Sequence, residues 1–295
     1  RRWGCWPTTM PWAKEMRYDD STGAVMIDMN TIVGRHDIIF ITLDTLRHDV
    51  AVNLHASGRT PNLASILPRK GWERRHSPGN FTYSSHHAFF AGFLPTPESP
   101  GTHQRLFAME FPGSLTTGPN TCVFAEATFA EGLAARGYRT ICIGGVGFFN
   151  KLGALGSVLP KLFDESHWSV ELSVVDRNST RNQFRLAAGV LSEVPLEQRV
   201  FLFVNVSAIH PPNNYYLEGA TQDTLASHAK ALEYVDSQLP ILLAAIRRRG
   251  GAFCIVCSDH GSAFGEDGYV GHRLCHPVVW TVPYAEFFLS SESIG

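Results

Sequence analysis

Continuous apolar runs alternate along this chain with segments of helical spacing, and the alternation predicts the fold. DIIFITL (37–43) is a nearly unbroken apolar run, as expected of a strand buried on both faces. FAEATFAEGLAARG (124–137) carries its apolar residues at helical spacing and closes on Gly137, the residue type suited to the left-handed turn that ends a helix. YRTICIGG (138–145) predicts the next strand, a helix follows over about 180–193, and VFLFVNVSAIHPP (200–212) predicts a third strand that stops at a proline pair. The segment 224–250 reads as a long helix kinked at Pro240, because proline lacks an amide donor and crowds the preceding turn. AFCIVCS (252–258) and PYAEFFLS (283–290) predict a fourth and a fifth strand. The sum is an α/β fold, a doubly wound and mostly parallel sheet with helices on both faces. Two regions lack a period. Residues 1–34 are rich in Trp and Met and read as an arm of separate role, with the folded domain over 35–295. Residues 95–122 are rich in Pro, Gly and Thr and read as a long excursion at the rim of a site.

Composition narrows the class. A chain of 295 residues can bury one large core. A net charge of −2 leaves no basic face for nucleic acid. The one basic run, Arg247-Arg248-Arg249, precedes Gly250-Gly251 and is ordinary helix-ending chemistry. Six cysteines follow no disulfide spacing. Cys254 and Cys257 form a C-x-x-C inside a strand-like run, where residues three apart face opposite sides and cannot grip one metal. No apolar stretch reaches the length of a membrane span, and the first residues lack the apolar centre of a secretory signal. A cytoplasmic location is therefore the expectation, and the sequons at Asn80, Asn178 and Asn205 carry no weight in that setting.

Three segments far apart carry the chemistry. Asp44 follows the first strand in IIFITLDTLRHD, and Asp259-His260-Gly261 follows the fourth in FCIVCSDHG. Carboxylates and imidazoles at strand ends sit where open α/β sheets build their sites. An isolated Asp at such a place commonly caps the next helix, whereas the adjacent pair Asp259-His260 offers two ligands, with Gly261 allowing a sharp turn. The third segment, NFTYSSHHAFFAGFLP (80–95), reads as the start of a short helix with Thr82, Ser84 and Ser85 as rival caps. A hydroxyl there meets positive potential and free amides, which stabilise an alkoxide or an anionic ester. Two Asp, one His and a hydroxyl form a shell for a divalent metal, and the imidazole favours Zn²⁺ or Mn²⁺ over Ca²⁺ or Mg²⁺. One ion or two is left open. His272 and His276 are four apart, the spacing of one helical face, and with His210 they could build a second metal site or cradle a substrate anion.

The order and wording of these segments resemble the alkaline phosphatase superfamily, in its sulfatase-like branch, over about residues 36–290. TLDTLRHD resembles the first metal-binding turn and TPNLASI (60–66) the phrase that follows it. Thr82 to Pro95 resembles the nucleophile helix, and counting back from Gly92 places the nucleophile at Thr82. TFAEGLAARGYRTICIGG resembles the helix–strand unit of the branch, Ile209-His210-Pro211 its substrate-contacting turn, and SDHGSAFGEDGYVGHR its second metal-binding phrase. The resemblance implies Asp44, Thr82, Asp259, His260 and His272 as metal ligands, and Thr82, His210 and His272 as catalytic residues. The departures are specific. A secondary alcohol at Thr82 cannot become the formylglycine of sulfatases, His86 replaces their Arg, and Gly144-Gly145-Val146-Gly147 replaces a phrase with Lys and His. His272 stands in place of the late Lys, as in phosphodiesterases and phosphoethanolamine transferases of the superfamily. The expected activity is a metal-dependent hydrolysis of small anionic phosphate or phosphonate esters through a phospho-threonine. The alternatives are a phosphoryl transferase or mutase, a sulfuric ester hydrolase, and a metal-binding protein without catalysis. The pocket walls are expected from 95–122, 144–160 and 212–222. Oligomeric state is not legible.

Overall fold

The apolar run Asp37–Leu43 forms the central strand of a seven-stranded sheet, with all seven residues buried. The computed structural model describes residues 27–92 and 128–291. In chain order its elements are α1 (Met29–Ile32), β1 (Asp37–Leu43), α2 (His48–Ala56), α3 (Pro61–Ala64), β2 (Glu73–His76), α4 (Thr82–Ala91), α5 (Phe129–Ala134), β3 (Arg139–Ile143), α6 (Ala154–Val158), β4 (Glu165–His167), α7 (Ser179–Glu193), β5 (Val200–Val206), α8 (Leu225–Arg248), β6 (Gly251–Cys257), β7 (Ala263–Phe264), β8 (Val270–Gly271), α9 (Pro277–Trp280) and β9 (Thr281–Ser290). The sheet order is β2-β9-β6-β1-β5-β3-β4, and β7 and β8 form a separate hairpin. β1, β3, β4, β5 and β6 run parallel, while β9 and β2 pair antiparallel at one side.

Each central strand alternates its side chains between two cores. Ile39, Ile41 and Leu43 of β1 join Leu202, Val204 and Val206 of β5 under α2, α7 and α8. Ile38 and Phe40 point the other way, with Phe201, Phe203, Phe90 and Phe163. The second face is a ring-on-ring core, with Phe90 and Phe203 centroids 5.1 Å apart and nearly perpendicular, the edge-to-face geometry that aromatic quadrupoles favour. Cys254 belongs to the first core and Cys257 to the second, so the C-x-x-C is split across the sheet as its strand spacing requires.

Four details differ from the sequence expectations. β2 (ERRH) and β4 (ESH) are edge strands without an apolar run, and charge on an edge strand guards it against further pairing. The third strand ends at Val206, and the backbone then turns, with His210 N–H donating to the Ser207 carbonyl at 3.0 Å. α8 runs unbroken from Leu225 to Arg248 with Pro240 inside it. Arg249 is more than a helix ending, because its buried guanidinium donates to Asp37 Oδ2 at 2.7 Å and to the Val194 carbonyl at 2.7 Å. Of the expected arm, Ile32 is fully buried in the second core. The excursion 95–122, residues 124–127 of the expected helix and 93–95 of the nucleophile phrase lie outside the described residues.

Candidate active site

Strand register brings the two acidic turns together. Thr42 of β1 pairs with Cys257 of β6 on one side and with Asn205 of β5 on the other. Asp44 and Asp259 each lie two residues beyond that row, so both leave the sheet at one level and on one face. β1 is flanked by the strands that precede it and follow it in the doubly wound order, the place where such sheets bind ligands. The first turn is tight: Thr45 adopts φ 64°, a left-handed conformation costly for a β-branched residue. The Thr45 amide donates to Asp259 Oδ1 at 3.2 Å, which ties the first turn to the second.

The ligand atoms are buried and unsatisfied. Asp44, Asp259 and His260 are each fully buried, and their ligand atoms lie within 4.8 Å of one another. Asp44 Oδ2 accepts from Asn205 Nδ2 at 3.0 Å, but Asp44 Oδ1 has no partner. Asp259 Oδ1 accepts from the Thr45 and His260 amides, but Asp259 Oδ2 has none. His260 Nδ1 donates to the Gly261 carbonyl at 2.9 Å, which leaves a lone pair on Nε2, 3.5 Å from Asp259 Oδ2 and 3.9 Å from Asp44 Oδ1. A buried oxygen without a donor is costly, and two of them converging with an imidazole lone pair is the donor set that a divalent cation satisfies. Burial, aided by the Asp259 charge, raises the Asp44 pKa to about 6. Burial raises that of Asp259 to about 7. These residues fit a metal ion.

Thr82 opens α4, with Phe81 at the cap position and no side-chain cap. Its hydroxyl oxygen is 3.4 Å from Asp44 Oδ2 and 3.3 Å from His260 Nε2. Thr82 therefore faces the ligand atoms, whereas Ser84 donates to the Phe81 carbonyl and Ser85 to the Asp259 carbonyl. Ser77 donates to that same Asp259 carbonyl, so two hydroxyls fix the turn. Gly261 has a different role from the expected one. It is absent from the positive-φ residues, and a Cβ there would lie 2.0 Å from the Val278 carbonyl oxygen. Close backbone approach, not a left-handed turn, demands glycine.

The histidines divide. His260 and His272 rings are 4.6 Å apart and His272 and His210 rings 5.5 Å apart, a file leading outward from the ligand atoms. His272 lies outside the buried Asp44–Asp259–His260 group. Burial, with the nearby His260, His210 and Arg273, lowers its pKa to about 3, so it is neutral near pH 7. His210 Nδ1 donates to the Pro211 carbonyl at 2.5 Å, leaving Nε2 free. His276 is not its partner, because residues 272–276 form no helix. Its Nδ1 accepts from the Val278 amide and its Nε2 lies 3.0 Å from Asp267. His86 is structural: Nδ1 donates to the Thr82 carbonyl at 2.7 Å and Nε2 lies 2.9 Å from Thr42 Oγ1, among phenylalanine rings. His87 stacks on Tyr83.

Two supporting groups escaped the sequence reading. Asn205 is fully buried and orients Asp44; a lone amide inside VFLFVNV was the available signal, read only as a sequon. Arg47 is buried with its guanidinium bound to Asp49 and to Glu266, which joins the loops after β1 and β6.

The family model for sulfatases, "Sulfatase", matches residues 36–280. The chain belongs to the sulfatase family. Within the wider alkaline phosphatase superfamily, this sulfatase-family chain is similar in fold to the C-terminal periplasmic domain of phosphoethanolamine transferase EptC from Campylobacter jejuni, at 13% identity and TM-score 0.56, covering 86% of this chain and 79% of that one. The corresponding Escherichia coli domain, in complex with Zn, matches at 13% identity and TM-score 0.59, covering 87% and 73%. An alkaline phosphatase superfamily protein from Vibrio parahaemolyticus matches at 16% identity and TM-score 0.53, covering 88% and 60%. No curated protein matches the sequence. No helix among the described residues is long and apolar enough to cross a membrane.

Proposed function

We propose that this sulfatase-family enzyme cleaves phosphate or phosphonate esters, with Thr82 as the nucleophile and water as the final acceptor. The observation that carries the reading is the buried Thr82 hydroxyl, held 3.4 Å from Asp44 Oδ2 and 3.3 Å from His260 Nε2, in a group whose other oxygens, Asp44 Oδ1 and Asp259 Oδ2, have no partner. Asp44, Asp259 and His260 would hold the divalent cation, with the Zn in the E. coli relative favouring zinc. A bound cation supplies Lewis acidity that lowers the pKa of a nearby hydroxyl and offsets charge on the ester.

The remaining steps belong to the chain. Thr82, having lost its hydroxyl proton to solvent, attacks phosphorus in line through Oγ1 as the ester P–O bond breaks, giving a phospho-threonine whose P–O bond to Thr82 is broken in turn by water. His210, tethered through Nδ1, uses Nε2 to deliver a proton to the departing oxygen and then to take one from the incoming water. His272, neutral near pH 7, donates a hydrogen bond to an equatorial oxygen rather than a charge. Thr82 is the reason for placing sulfate esters behind phosphorus esters, since it cannot form the aldehyde.

Release to an alcohol instead of water is the second reading, supported by the fold shared with phosphoethanolamine transferases. The test is turnover of aryl phosphate monoester, phosphodiester, phosphonate monoester and sulfate ester by metal-stripped protein reloaded with Zn²⁺ or Mn²⁺, with Thr82→Ala beside it. Cleavage of a phosphorus ester that needs both metal and Thr82 is expected. Full turnover by Thr82→Ala would refute the assignment. Partitioning of the labelled intermediate between water and added alcohols separates hydrolase from transferase.

A further inference from the structure

The loop after β3 carries neither the Lys nor the His of the phrase it resembles, and at two of its glycines the structure leaves no room for a side chain. A Cβ on Gly144 would lie 2.1 Å from Phe149 Cβ, and one on Gly145 would lie 2.5 Å from the Asn205 carbonyl oxygen. At these two positions the loop after β3 is packed against Phe149 and against the strand that orients Asp44, so neither can carry a side chain, whereas Gly147 is exposed and a Cβ there would meet only Asn150 Nδ2 at 3.8 Å. Beyond a metal ion, further positive charge for an anionic ester at Thr82 has to come, among the described residues, from another element.

Arg273 meets that need. It directly follows His272, the middle member of the imidazole file, and it is exposed. Its guanidinium carbon lies 5.4 Å from the centre of the Phe81 ring, and Phe81 is the residue before Thr82. Stacking on a ring holds a guanidinium plane while leaving its N–H edge free. The backbone aims it: Arg273 adopts φ 67°, and its amide donates to the Asn80 carbonyl at 2.8 Å, on the segment leading into the nucleophile helix. A non-glycine residue in that conformation is strained, and such strain collects at functional sites. Among the described residues no carboxylate pairs with Arg273, in contrast to Arg47, which binds both Asp49 and Glu266.

We propose that Arg273 is a specificity-determining residue, whose guanidinium on the Phe81 ring binds a non-bridging oxygen of the substrate's phosphoryl group and favours dianionic monoesters over monoanionic diesters. The inference rests on the reading of the site as one for phosphorus esters and names the charge state it selects.

The backbone supplies a clean variant. Glycine tolerates φ 67° better than arginine does, so Arg273→Gly removes the guanidinium from an exposed position without stressing the fold. Two measurements are made on metal-loaded wild type and Arg273→Gly: binding of inorganic phosphate by calorimetry, and kcat/KM on an aryl phosphate monoester and the matching diester. The variant is expected to bind phosphate about 10- to 100-fold more weakly, the worth of one charge-assisted contact. Monoester kcat/KM is expected to fall by a similar factor and diester kcat/KM by less, with partial recovery of the monoester rate on adding guanidinium ion. Phosphate binding that is equal in the two proteins, or absent from both, overturns the inference whether or not the wild type cleaves any ester. Equal losses on monoester and diester overturn the charge selection. If the wild type binds phosphate through Arg273 yet cleaves no phosphorus ester, the inference stands and the reading of the reaction fails.

Discussion

Removing one buried carboxylate should stabilise the metal-free protein while destroying its response to metal. Asp259 is fully buried, and its pKa rises from 3.8 to about 7 on folding. Such a group binds more protons folded than unfolded, so stability falls as pH rises above 3.8 and stops falling above about 7. At about 1.4 kcal/mol per pKa unit, the ionised carboxylate costs the metal-free protein about 4 kcal/mol at pH 8, and about 2 kcal/mol at pH 5. Asp259→Asn removes that cost. Its Oδ1 can keep both amide bonds, and its Nδ2 replaces an oxygen that has no donor and lies 3.5 Å from the His260 Nε2 lone pair. The variant also relieves Asp44, whose pKa is raised partly by the Asp259 charge. The assay is denaturant unfolding of chelator-treated wild type and Asp259→Asn at pH 8 and pH 5, then with saturating Zn²⁺. The variant should gain up to about 4 kcal/mol at pH 8 and about half that at pH 5. Saturating metal should close most of that gap at pH 8 and reverse the order at pH 5, since a ligand at about 100 times its Kd adds about 2.7 kcal/mol to the protein that binds it. A metal-free variant no more stable than wild type at pH 8, or a gain that does not shrink at pH 5, would refute the charge-burial argument. Equal zinc stabilisation of both proteins would remove Asp259 from the ligand set.

The remaining predictions are brief. Thr82→Ala should lower kcat by several powers of ten, by analogy with other nucleophile deletions, while zinc still raises the unfolding midpoint, because Asp44, Asp259 and His260 remain. His86 and His228 are buried with pKa lowered to about 3, so each loses stability as pH falls below 6.5, opposing the gain from Asp44 and Asp259. His272, with its pKa also lowered to about 3, adds to that loss, so the metal-free wild type should lose stability only gradually on acidification and Asp259→Asn more steeply in the same titration. Gly145→Ala should destabilise by about 1–3 kcal/mol, the usual cost of overpacking, and weaken zinc binding, because its Cβ would displace the strand segment that carries Asn205; thermal unfolding with and without zinc reads both effects.

Much of the scaffold was legible because strands buried on both faces must be apolar along their whole length. β1, β3, β5 and β6 arise from such runs and β9 from a partly exposed one, and each ends within a few residues of its expected end except β5, where the apolar SAI (207–209) continues past the last ladder residue into a turn. β2 and β4 escaped because an edge strand contacts one neighbour and needs no apolar pattern. The mostly parallel sheet and the family followed from the order of runs and phrases. Asp44, Thr82, Asp259 and His260 were named from strand ends and a helix start, and the structure brings them together. His276 was misplaced because an i,i+4 spacing unites side chains only on a helix, and residues 272–276 are not one.

By itself the sequence determined which segments must be buried and which polar residues stand where burial ends, since desolvation acts on each segment's own composition. It could not determine what those residues meet. Register decided that Asp44 and Asp259 leave the sheet side by side, backbone crowding decided that Gly144, Gly145 and Gly261 admit no side chain, and the left-handed backbone at Arg273 decided that its charge lies beside the nucleophile. The pairs involved lie from 5 residues apart, Gly144 and Phe149, to 215, Asp44 and Asp259; the hydrophobic pattern carries no information about them, and only close packing of the folded chain makes them definite.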